Sequence, residues 1–282
     1  MNNQQMPNDR QRQQELQDIA IKENMKRIKH KLIVMSGKGG VGKSTVATNL
    51  AFGLSLNGSK VGVMDTDIHG PSLGKMLGIE GQFLRPSEKG NGLMPIEVKG
   101  IKVITMASLL QDADAPVIWR GPLKMGAIKQ FLGEIEWGDL DYLVIDSPPG
   151  TGDEPLSVCQ LIPEADGAII VTTPQDVAII DSRKTVRFSQ QLKIPVLGII
   201  ENMSGFKCPY CGKSIDLFKI GGGEKAAQSL NVPFLGAIPI DPKIVETSDD
   251  GKAFIYDFAK EPAGKAMQEI VNKIINKVEH KN

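Results

Sequence analysis

Two short segments of the chain contain residues whose types and spacing could do chemistry. The first, Gly37–Ser44, reads GKGGVGKS and fits the pattern G-x-x-x-x-G-K-S/T. Glycines in such a loop let backbone N–H groups approach phosphate oxygens without a side chain in the way. We expect Lys43 to reach the β- and γ-phosphates of a bound nucleotide and Ser44 to coordinate Mg²⁺. The segment therefore predicts a nucleoside triphosphate site.

The flanking sequence supplies the context that this loop requires. A strand is predicted at Lys31–Ser36 and a helix at Lys43–Leu56. The loop then lies at a helix N-terminus, where the helix dipole favours an anion. Thr45 is placed to contact the α-phosphate. The predicted nucleotide-binding residues of this segment are Gly37, Lys38, Gly39, Gly40, Val41, Gly42, Lys43, Ser44 and Thr45.

Carboxylates lie at the ends of two other predicted strands. Asp146 ends the apolar run DYLVID, the usual way in which a strand presents a carboxylate to Mg²⁺ beside a phosphate loop. Asp65 ends the run KVGVMD and is followed by Asp67, and of these two we interpret Asp65 as structural. The segment Ser147–Asp153 holds two prolines and two glycines. It can keep a defined shape and still pivot when a γ-phosphate is lost.

The second reactive segment is a cysteine pair, Cys208 and Cys211, in a loop at about 203–215. Two thiolates spaced C-x-x-C can hold one edge of a metal site, but zinc or an iron–sulfur cluster usually takes four protein ligands. The third cysteine, Cys159, lies on the apolar side of a helical pattern and is predicted to be a core thiol. The three histidines are His30, His69 and His280. A symmetric dimer would supply the two missing thiolates from a second chain.

The residues alone leave the occupant of the cysteine pair open. Zinc and an iron–sulfur cluster both accept four thiolates, and an exposed, shared site suits a cluster that is passed on better than it suits a structural zinc. C-P-Y-C is also the sequence of a glutaredoxin active site, so thiol–disulfide exchange is an alternative. That motif belongs near the start of a small thioredoxin-like unit, whereas here it lies in the second half of the chain.

The composition argues against several classes of protein. Lys and Arg number 33 and Asp and Glu also number 33, so no broad basic surface for nucleic acid is expected. No run of 18 apolar residues occurs, which argues against a transmembrane helix. The first residues, MNNQQMPNDRQRQQ, lack the apolar stretch of a secretory signal. We therefore expect reduced thiols and a cytoplasmic location.

From Lys31 onward, short apolar runs alternate with helical patterns. Continuous apolar runs are typical of strands buried on both faces, and their alternation with helices predicts an α/β fold. We expect a single P-loop domain over residues 30–282, with a mostly parallel twisted sheet and helices on both faces. Residues 1–29 are predicted to be a polar tail, disordered at first and helical around 11–27. The other predicted elements are the strands Lys60–Asp65, Ile101–Met106, Asp141–Asp146, Ala168–Thr172, Pro195–Ile200 and Pro233–Ile238 and the helix Asp176–Gln191.

The C-terminal segment Ala263–Lys277 is amphipathic. A helix on a membrane surface is one interpretation. We favour a helix packed on the sheet, because acidic, amide and basic side chains mix on its polar face and no Trp or Phe is present. No stable membrane association is therefore expected. The apolar residues at helical spacing are Met267, Ile270, Val271, Ile274, Ile275 and Val278.

The loop GKGGVGKST resembles the deviant Walker A loop of the MinD/ParA/nitrogenase-iron-protein class of ATPases. In that class the first lysine of the loop, here Lys38, reaches across a dimer interface to the phosphates of ATP bound by the partner. The resemblance implies that Lys38 supplies positive charge to the transition state only when two protomers close. It also implies that Asp67 orients or deprotonates the attacking water and contacts Mg²⁺ through water.

A larger set of motifs is similar to the Mrp/NBP35 (ApbC-type) branch of these ATPases. The set joins the phosphate loop to DTDIHGPS from Asp65, DSPPGTGD from Asp146, ENMS from Glu201 and CPYCG from Cys208. The resemblance implies an ATP-hydrolysing homodimer that carries a [4Fe–4S] cluster between its subunits and delivers it to apo iron–sulfur proteins. Hydrolysis is expected to be slow without a partner protein.

The same resemblance assigns roles to residues. It implies that Asn202 contacts the adenine and that Pro239, Ile240 and Asp241 line the base pocket. The implied catalytic residues are Lys38, Lys43 and Asp67, the magnesium ligands are Ser44, Asp67 and Asp146, and the cluster ligands are Cys208 and Cys211.

Two related functions stay open on the sequence alone. A MinD- or ParA-type positioning ATPase would bind a membrane or DNA, and neither partner explains Cys208 and Cys211. A reductase-like electron carrier would keep its cluster and cycle it. Such carriers typically take cluster ligands from two separated cysteines rather than from an adjacent pair.

Overall fold

The computed structural model of the protein describes residues 5–67, 70, 72–87, 92–109, 121–208 and 210–280. His69 and Pro209, which belong to motifs named above, lie outside the described residues. The strands are β1 (Ile28–Ser36), β2 (Val61–Asp65), β3 (Arg85–Pro86), β4 (Leu93–Met94), β5 (Ile96–Val98), β6 (Ile101–Ile104), β7 (Leu140–Asp146), β8 (Gly167–Thr172), β9 (Val196–Glu201), β10 (Phe206–Lys207), β11 (Ser214–Ile215) and β12 (Phe234–Ala237). The helices are α1 (Gln5–Lys26), α2 (Lys43–Leu56), α3 (Leu73–Met76), α4 (Gly121–Gly133), α5 (Asp153–Leu161), α6 (Asp176–Gln191), α7 (Gly222–Leu230), α8 (Pro242–Asp249), α9 (Phe254–Asp257) and α10 (Pro262–Glu279).

One large sheet organises the described part of the chain. Its strands lie in the order β12, β9, β8, β1, β7, β2, β6, β5. Neighbouring strands are parallel except β5 and β6, which pair antiparallel at one edge. The predicted α/β fold with a mostly parallel sheet is therefore confirmed. Strand β6 ends at Ile104, before the predicted end at Met106, where the chain enters a 3₁₀ turn.

Helices cover both faces of this sheet. Leu32 and Val34 of β1 pack in one cluster with residues of α2, α9 and α10, whereas Ile33 and Met35 pack in a second cluster with residues of α1, α4, α5 and α6. All four side chains are fully buried. Burial on both faces explains why the four residues from Leu32 to Met35 are all apolar and do not alternate with polar residues.

The carboxyl ends of the parallel strands meet at one edge of the sheet. Asp65 of β2 lies opposite Asp146 of β7, and Thr172 of β8 lies opposite Glu201 of β9. Strand β1 lies between β7 and β8 and ends at Ser36, directly before the phosphate loop. Ligands of such sheets bind at this edge, so the fold assembles the candidate residues there.

The N-terminal helix α1 is longer than the predicted segment around 11–27 and joins the core at its end. Ile21 and Met25 are buried in the same cluster as residues of α4. The Asn24 amide donates to the carbonyl oxygens of Leu132 and Ile135, both at 2.8 Å. Ile21, Asn24 and Met25 therefore attach the end of α1 to the folded core, whereas residues 11–16 of the helix are exposed.

The C-terminal helix α10 packs on the sheet, as the sequence predicts. Its apolar face is buried against α2 and β12, with Ile270, Val271 and Ile274 among the buried residues. The contact with α2 is close, because a Cβ added at Gly53 would lie 2.6 Å from Val271 Cγ2. Within the described residues, none of the helices combines the length and the apolar character needed to cross a bilayer.

Candidate functional site

The phosphate loop occupies residues 37–42, between the end of β1 and the start of α2, and tight packing dictates two of its glycines. Gly42 has φ 79°, and a Cβ there would lie 2.2 Å from the Asn202 amide nitrogen. A Cβ at Gly37 would lie 2.4 Å from the backbone of Asp181 on α6. The loop is thus held between β9 and α6 in one shape.

The start of α2 is suited to binding an anion. The helix begins at Lys43, directly after Gly42, and has no capping side chain. Its first N–H groups lack intrahelical partners and carry the positive end of the helix dipole. A cavity of about 220 Å³ lies at this point. The residues lining it include Lys38, Gly39, Gly40, Gly42, Lys43, Ser44, Thr45, Asp67 and Pro149.

Lys43 and Asp146 form a buried ion pair at this cavity. Lys43 Nζ lies 2.5 Å from Asp146 Oδ1, and the Ser44 hydroxyl donates to Asp146 Oδ2, also at 2.5 Å. The side chain of Lys43 is 6% exposed and that of Asp146 is fully buried. Burial raises the pKa of Asp146, and the Lys43 ammonium and the hydrogen bonds from Lys43 and Ser44 oppose that rise.

Two more carboxylates lie beside this pair. Asp67 Oδ2 is 3.9 Å from Lys43 Nζ. Asp65 is fully buried, and its Oδ1 accepts from the Asp67 N–H at 2.9 Å. Asp65 Oδ2 has no hydrogen-bond partner among the described residues. Burial, and then the charge of Asp146, raise the pKa of Asp65 well above its ordinary value.

The charges of this cluster fit a divalent cation. Two carboxylates, Asp67 and Asp146, lie within 4 Å of Lys43, and the available donors are hard oxygen atoms of Asp67, Asp146 and Ser44, the ligand type that Mg²⁺ prefers. The predicted magnesium ligands are thus brought together by the fold. Their binding of the metal stays a prediction.

The loop after Asp146 is anchored on the end of β1. The Ser147 N–H donates to the Val34 carbonyl at 3.1 Å, and the Gly150 N–H donates to the Ser36 carbonyl at 2.8 Å. The Thr66 hydroxyl donates to the Asp146 carbonyl at 2.8 Å. The segment Ser147–Asp153, predicted to pivot when a γ-phosphate is lost, is therefore bonded to the strand that carries the phosphate loop, and Thr66, next to Asp67, is bonded to the end of β7.

Asn202 contacts the phosphate loop directly. Its amide donates to the Val41 carbonyl at 2.9 Å, and its side chain is almost fully buried. The Val41 side chain is itself part of the core, so only its backbone is available to a ligand. The adenine contact predicted for Asn202 remains a prediction.

The cysteine pair lies on a small hairpin formed by β10 and β11. Cys208 is partly exposed and Cys211 is exposed. The Cys208 N–H donates to the Lys213 carbonyl, and the Gly212 N–H donates to the Cys208 carbonyl, both at 2.9 Å. Backbone N–H groups of Cys211 and Tyr210 lower the pKa of the Cys208 thiol. This turn therefore favours the thiolate, which is the form that binds metals.

Cys159 does not belong to this site. It is buried on α5, and burial raises the pKa of its thiol to about 12. The prediction of a core thiol is confirmed. Among the residues that the structure describes, no group of three or more His, Cys, Asp or Glu side chains is arranged to hold a metal ion. Within that part of the chain, Cys208 and Cys211 stand as a pair.

Pro239 and Asp241 lie beside the hairpin rather than at the phosphate loop. They line a cavity of about 550 Å³ together with Cys208, and they are not among the lining residues of the phosphate-loop cavity. Asp241 caps α8 by accepting from the Lys243 N–H at 3.0 Å. Their predicted contact with the base stays a prediction.

Glu201 is a buried polar residue that begins the motif ENMS and for which the sequence predicted no role. Its carboxylate accepts from the Ser204 hydroxyl at 2.5 Å and from the N–H groups of Gly221 and Gly223 at 2.9 and 2.5 Å. The available signal was a glutamate that ends the otherwise apolar run VLGIIE. A charge at such a position requires partners within the fold.

Comparison with known proteins identifies the family. A family model described as the NUBPL iron-transfer P-loop NTPase, of the ParA group, matches residues 27–275. The chain belongs to this family. An iron–sulfur cluster carrier protein of Methanocaldococcus jannaschii is 54% identical over 266 residues, which cover 94% of this chain and 90% of the relative. A protein of the same name from Saccharolobus solfataricus is 47% identical, with 93% of this chain and 88% of the relative covered.

Solved structures agree with the fold. A nucleotide-binding protein from Archaeoglobus fulgidus in complex with ADP has a TM-score of 0.76 and 41% identity, and the match covers 88% of this chain and 95% of that one. MinD from Pyrococcus horikoshii, complexed with Mg-ADP, has a TM-score of 0.66 and 22% identity over 90% of this chain and 99% of its own. The second likeness concerns the fold alone. Because the chain belongs to a P-loop NTPase family, its general activity is that of an ATPase.

Replacing Lys43 with alanine is expected to weaken nucleotide binding by about 10- to 100-fold, because each charge-assisted hydrogen bond contributes about 1.5–3 kcal/mol. Titration calorimetry with ATP measures this loss. Lys75→Ala is the matched control, since Lys75 is exposed and pairs only with Glu80 in the described structure.

The same change leaves the buried Asp146 without its lysine, so the free energy of unfolding is expected to fall by about 3–5 kcal/mol. Thermal denaturation of the cluster-free protein measures this effect. Lys43→Gln keeps a hydrogen-bond donor and replaces the alanine variant should that one fail to fold. Wild-type affinity for ATP in either folded variant would contradict the assignment of Lys43 to nucleotide binding.

Proposed function

We propose that the protein is an ATP-hydrolysing carrier that holds a [4Fe–4S] cluster between two copies of the chain and transfers it to apo iron–sulfur proteins. The observation that most directly supports this proposal is the pair Cys208 and Cys211, which offers two of the four thiolates of a cluster site within the described chain. Membership of the iron-transfer family and the names of the relatives support an iron–sulfur cargo over zinc.

The position of the pair suits a cluster that is passed on. Cys211 is exposed at the tip of the hairpin, and the neighbouring Tyr210 is 97% exposed. A cluster bound there lies within reach of an acceptor protein. Because both cysteines must be reduced to bind it, we place the protein in a reducing compartment, the cytoplasm.

A second copy of the chain would complete the coordination shell. Several apolar side chains on and after the hairpin are exposed in the single chain, namely Ile215, Leu217 and Ile220. Exposed apolar residues grouped around a half-complete site favour a partner surface there. A two-fold axis beside the hairpin would bring four thiolates together and cover these residues.

Nucleotide binding would change the contacts of Lys43. The phosphates of ATP compete with Asp146 for its ammonium, and Ser44 and Asp146, with Asp67 close by, would hold Mg²⁺. When bound, Mg²⁺ neutralises charge on the phosphates. Lys38 of the partner copy would add a second positive charge at the phosphates, and Asp67 would orient the attacking water. Asn202, Pro239 and Asp241 would contact the base.

The two rival functions are less well supported. A positioning ATPase shares the fold, but it leaves the cysteine pair without a role, and the apolar face of α10 is buried rather than free for a membrane. A reductase-like carrier would retain its cluster during repeated reduction and would not transfer it. Measuring cluster transfer to an apo iron–sulfur protein therefore separates the carrier function from these two rivals.

Cys208→Ala is expected to abolish cluster binding and leave ATP binding unchanged, because the hairpin lies outside the phosphate-loop cavity. The protein is reconstituted anaerobically with iron and sulfide, and its visible absorbance and iron content are measured, followed by transfer to an apo-ferredoxin with and without ATP. Cys159→Ala is the matched control, since it removes a buried thiol. An unchanged cluster spectrum in Cys208→Ala would reject the proposed ligands, and a loaded wild-type protein that never transfers its cluster would reject the carrier function.

Lys38→Ala is expected to lower kcat for ATP hydrolysis by about 100-fold or more, because it removes a positive charge from the transition state. Mixing Lys38→Ala with Lys43→Ala tests whether Lys38 acts across the interface. In a mixed dimer, the Lys38→Ala chain keeps Lys43 and would receive Lys38 from the Lys43→Ala chain, so activity should partly return. No recovery on mixing would place the role of Lys38 within its own chain and contradict the proposal.

A further inference from the structure

One buried carboxylate joins both ends of the segment that carries the cysteines. Glu201 is fully buried at the end of β9. Its Oε1 accepts from the Ser204 hydroxyl at 2.5 Å and from the Gly221 N–H at 2.9 Å, and its Oε2 accepts from the Gly223 N–H at 2.5 Å. Ser204 precedes the hairpin and Gly221 follows it, so this carboxylate closes the base of the hairpin.

The hairpin has little structure of its own to orient it. Strands β10 and β11 pair at two positions only, Phe206 with Ile215 and Lys207 with Ser214. A two-stranded hairpin of this size is marginally stable alone in water. The orientation of the hairpin is therefore set by the contacts at its base. There the Ile240 N–H also donates to the Gly205 carbonyl at 2.9 Å.

Glu201 also serves as the missing cap of α7. The helix begins at Gly222 after Gly221, which has φ 79°, and no side chain of its own caps it. The carboxylate from β9 supplies the acceptors and places negative charge at the positive end of the helix dipole. The fit is tight, because a Cβ at Gly223 would lie 3.0 Å from the Glu201 Cβ.

The next residue along the chain contacts the nucleotide loop. Asn202 donates to the Val41 carbonyl at 2.9 Å, so adjacent residues at the end of β9 hold the hairpin base and the phosphate loop. We infer that Glu201 is a positioning residue that keeps the cysteine hairpin in a fixed orientation relative to the phosphate loop and thereby couples nucleotide state to cluster release. This inference rests on the proposed function.

Glu201→Gln tests the inference with little change in size. One oxygen of the Glu201 carboxylate is replaced by an NH₂ group that faces an N–H or O–H donor, so the base of the hairpin loses a hydrogen bond and a negative charge. Hydrogen exchange of the cluster-free protein is expected to speed up by about tenfold or more across residues 205–223, with α2 unchanged. Glu224→Gln, an exposed change on the same helix, is the matched control and should leave exchange as in the wild type.

Cluster release gives the second readout. In the loaded wild-type protein, exchanging ADP for ATP is expected to change the rate of transfer to apo-ferredoxin by about fivefold or more. In Glu201→Gln this nucleotide dependence should fall below about twofold. Ser204→Ala, which removes one bond and no charge, should give an intermediate result and serves where the glutamine variant does not fold.

Wild-type exchange rates together with wild-type nucleotide dependence in Glu201→Gln would overturn the inference. Faster exchange with unchanged nucleotide dependence would overturn the coupling through Glu201. A wild-type protein that binds no cluster would instead refute the proposed function, and the exchange measurement would still decide whether Glu201 positions the hairpin.

Discussion

The buried pairing of Lys43 with Asp146 is the interaction on which the functional edge of the sheet depends. Asp65 lies opposite Asp146 on the neighbouring strand, Asp67 follows it, and Lys43 is the cation that lies beside Asp67 and Asp146. The arrangement is costly to bury unless the cation stays in place. Lys43 also lines the phosphate-loop cavity, where the phosphate oxygens of a bound nucleotide would compete with Asp146 for it. The stability of this edge and the proposed nucleotide binding would therefore rely on one side chain.

The end of β9 connects this nucleotide edge to the cysteine hairpin. Asn202 contacts the phosphate loop, whereas Glu201 holds both ends of the segment that carries Cys208 and Cys211. No long chain of contacts is needed between the two sites, because neighbouring residues of one strand end serve both. Under the proposed function, a movement of the phosphate loop would reach the hairpin, and a cluster bound there, through this strand end.

The sequence predicts the parts of the structure that depend on local patterns. The bounds of α2 and α6 coincide with the predicted helices, and β1 ends at Ser36 as predicted but begins at Ile28, three residues before the predicted start at Lys31. Contacts between distant residues escape such patterns. The Asn24 amide of α1 bonds to Leu132, 108 residues away, and the Glu201 carboxylate bonds to Gly223, 22 residues further on. In the sequence alone, Asn24 and Glu201 are polar residues of the kind that usually lies in solvent.

The central claim is that one cluster is shared by two chains, each providing Cys208 and Cys211. Native mass spectrometry of the anaerobically loaded protein tests it most directly, because the mass reports the number of chains and of clusters in one particle. The account predicts a dimer with a single cluster and a cluster-free form of the Cys208→Ala protein. A single chain that holds a complete cluster, or a dimer that holds one cluster in each chain, would contradict it.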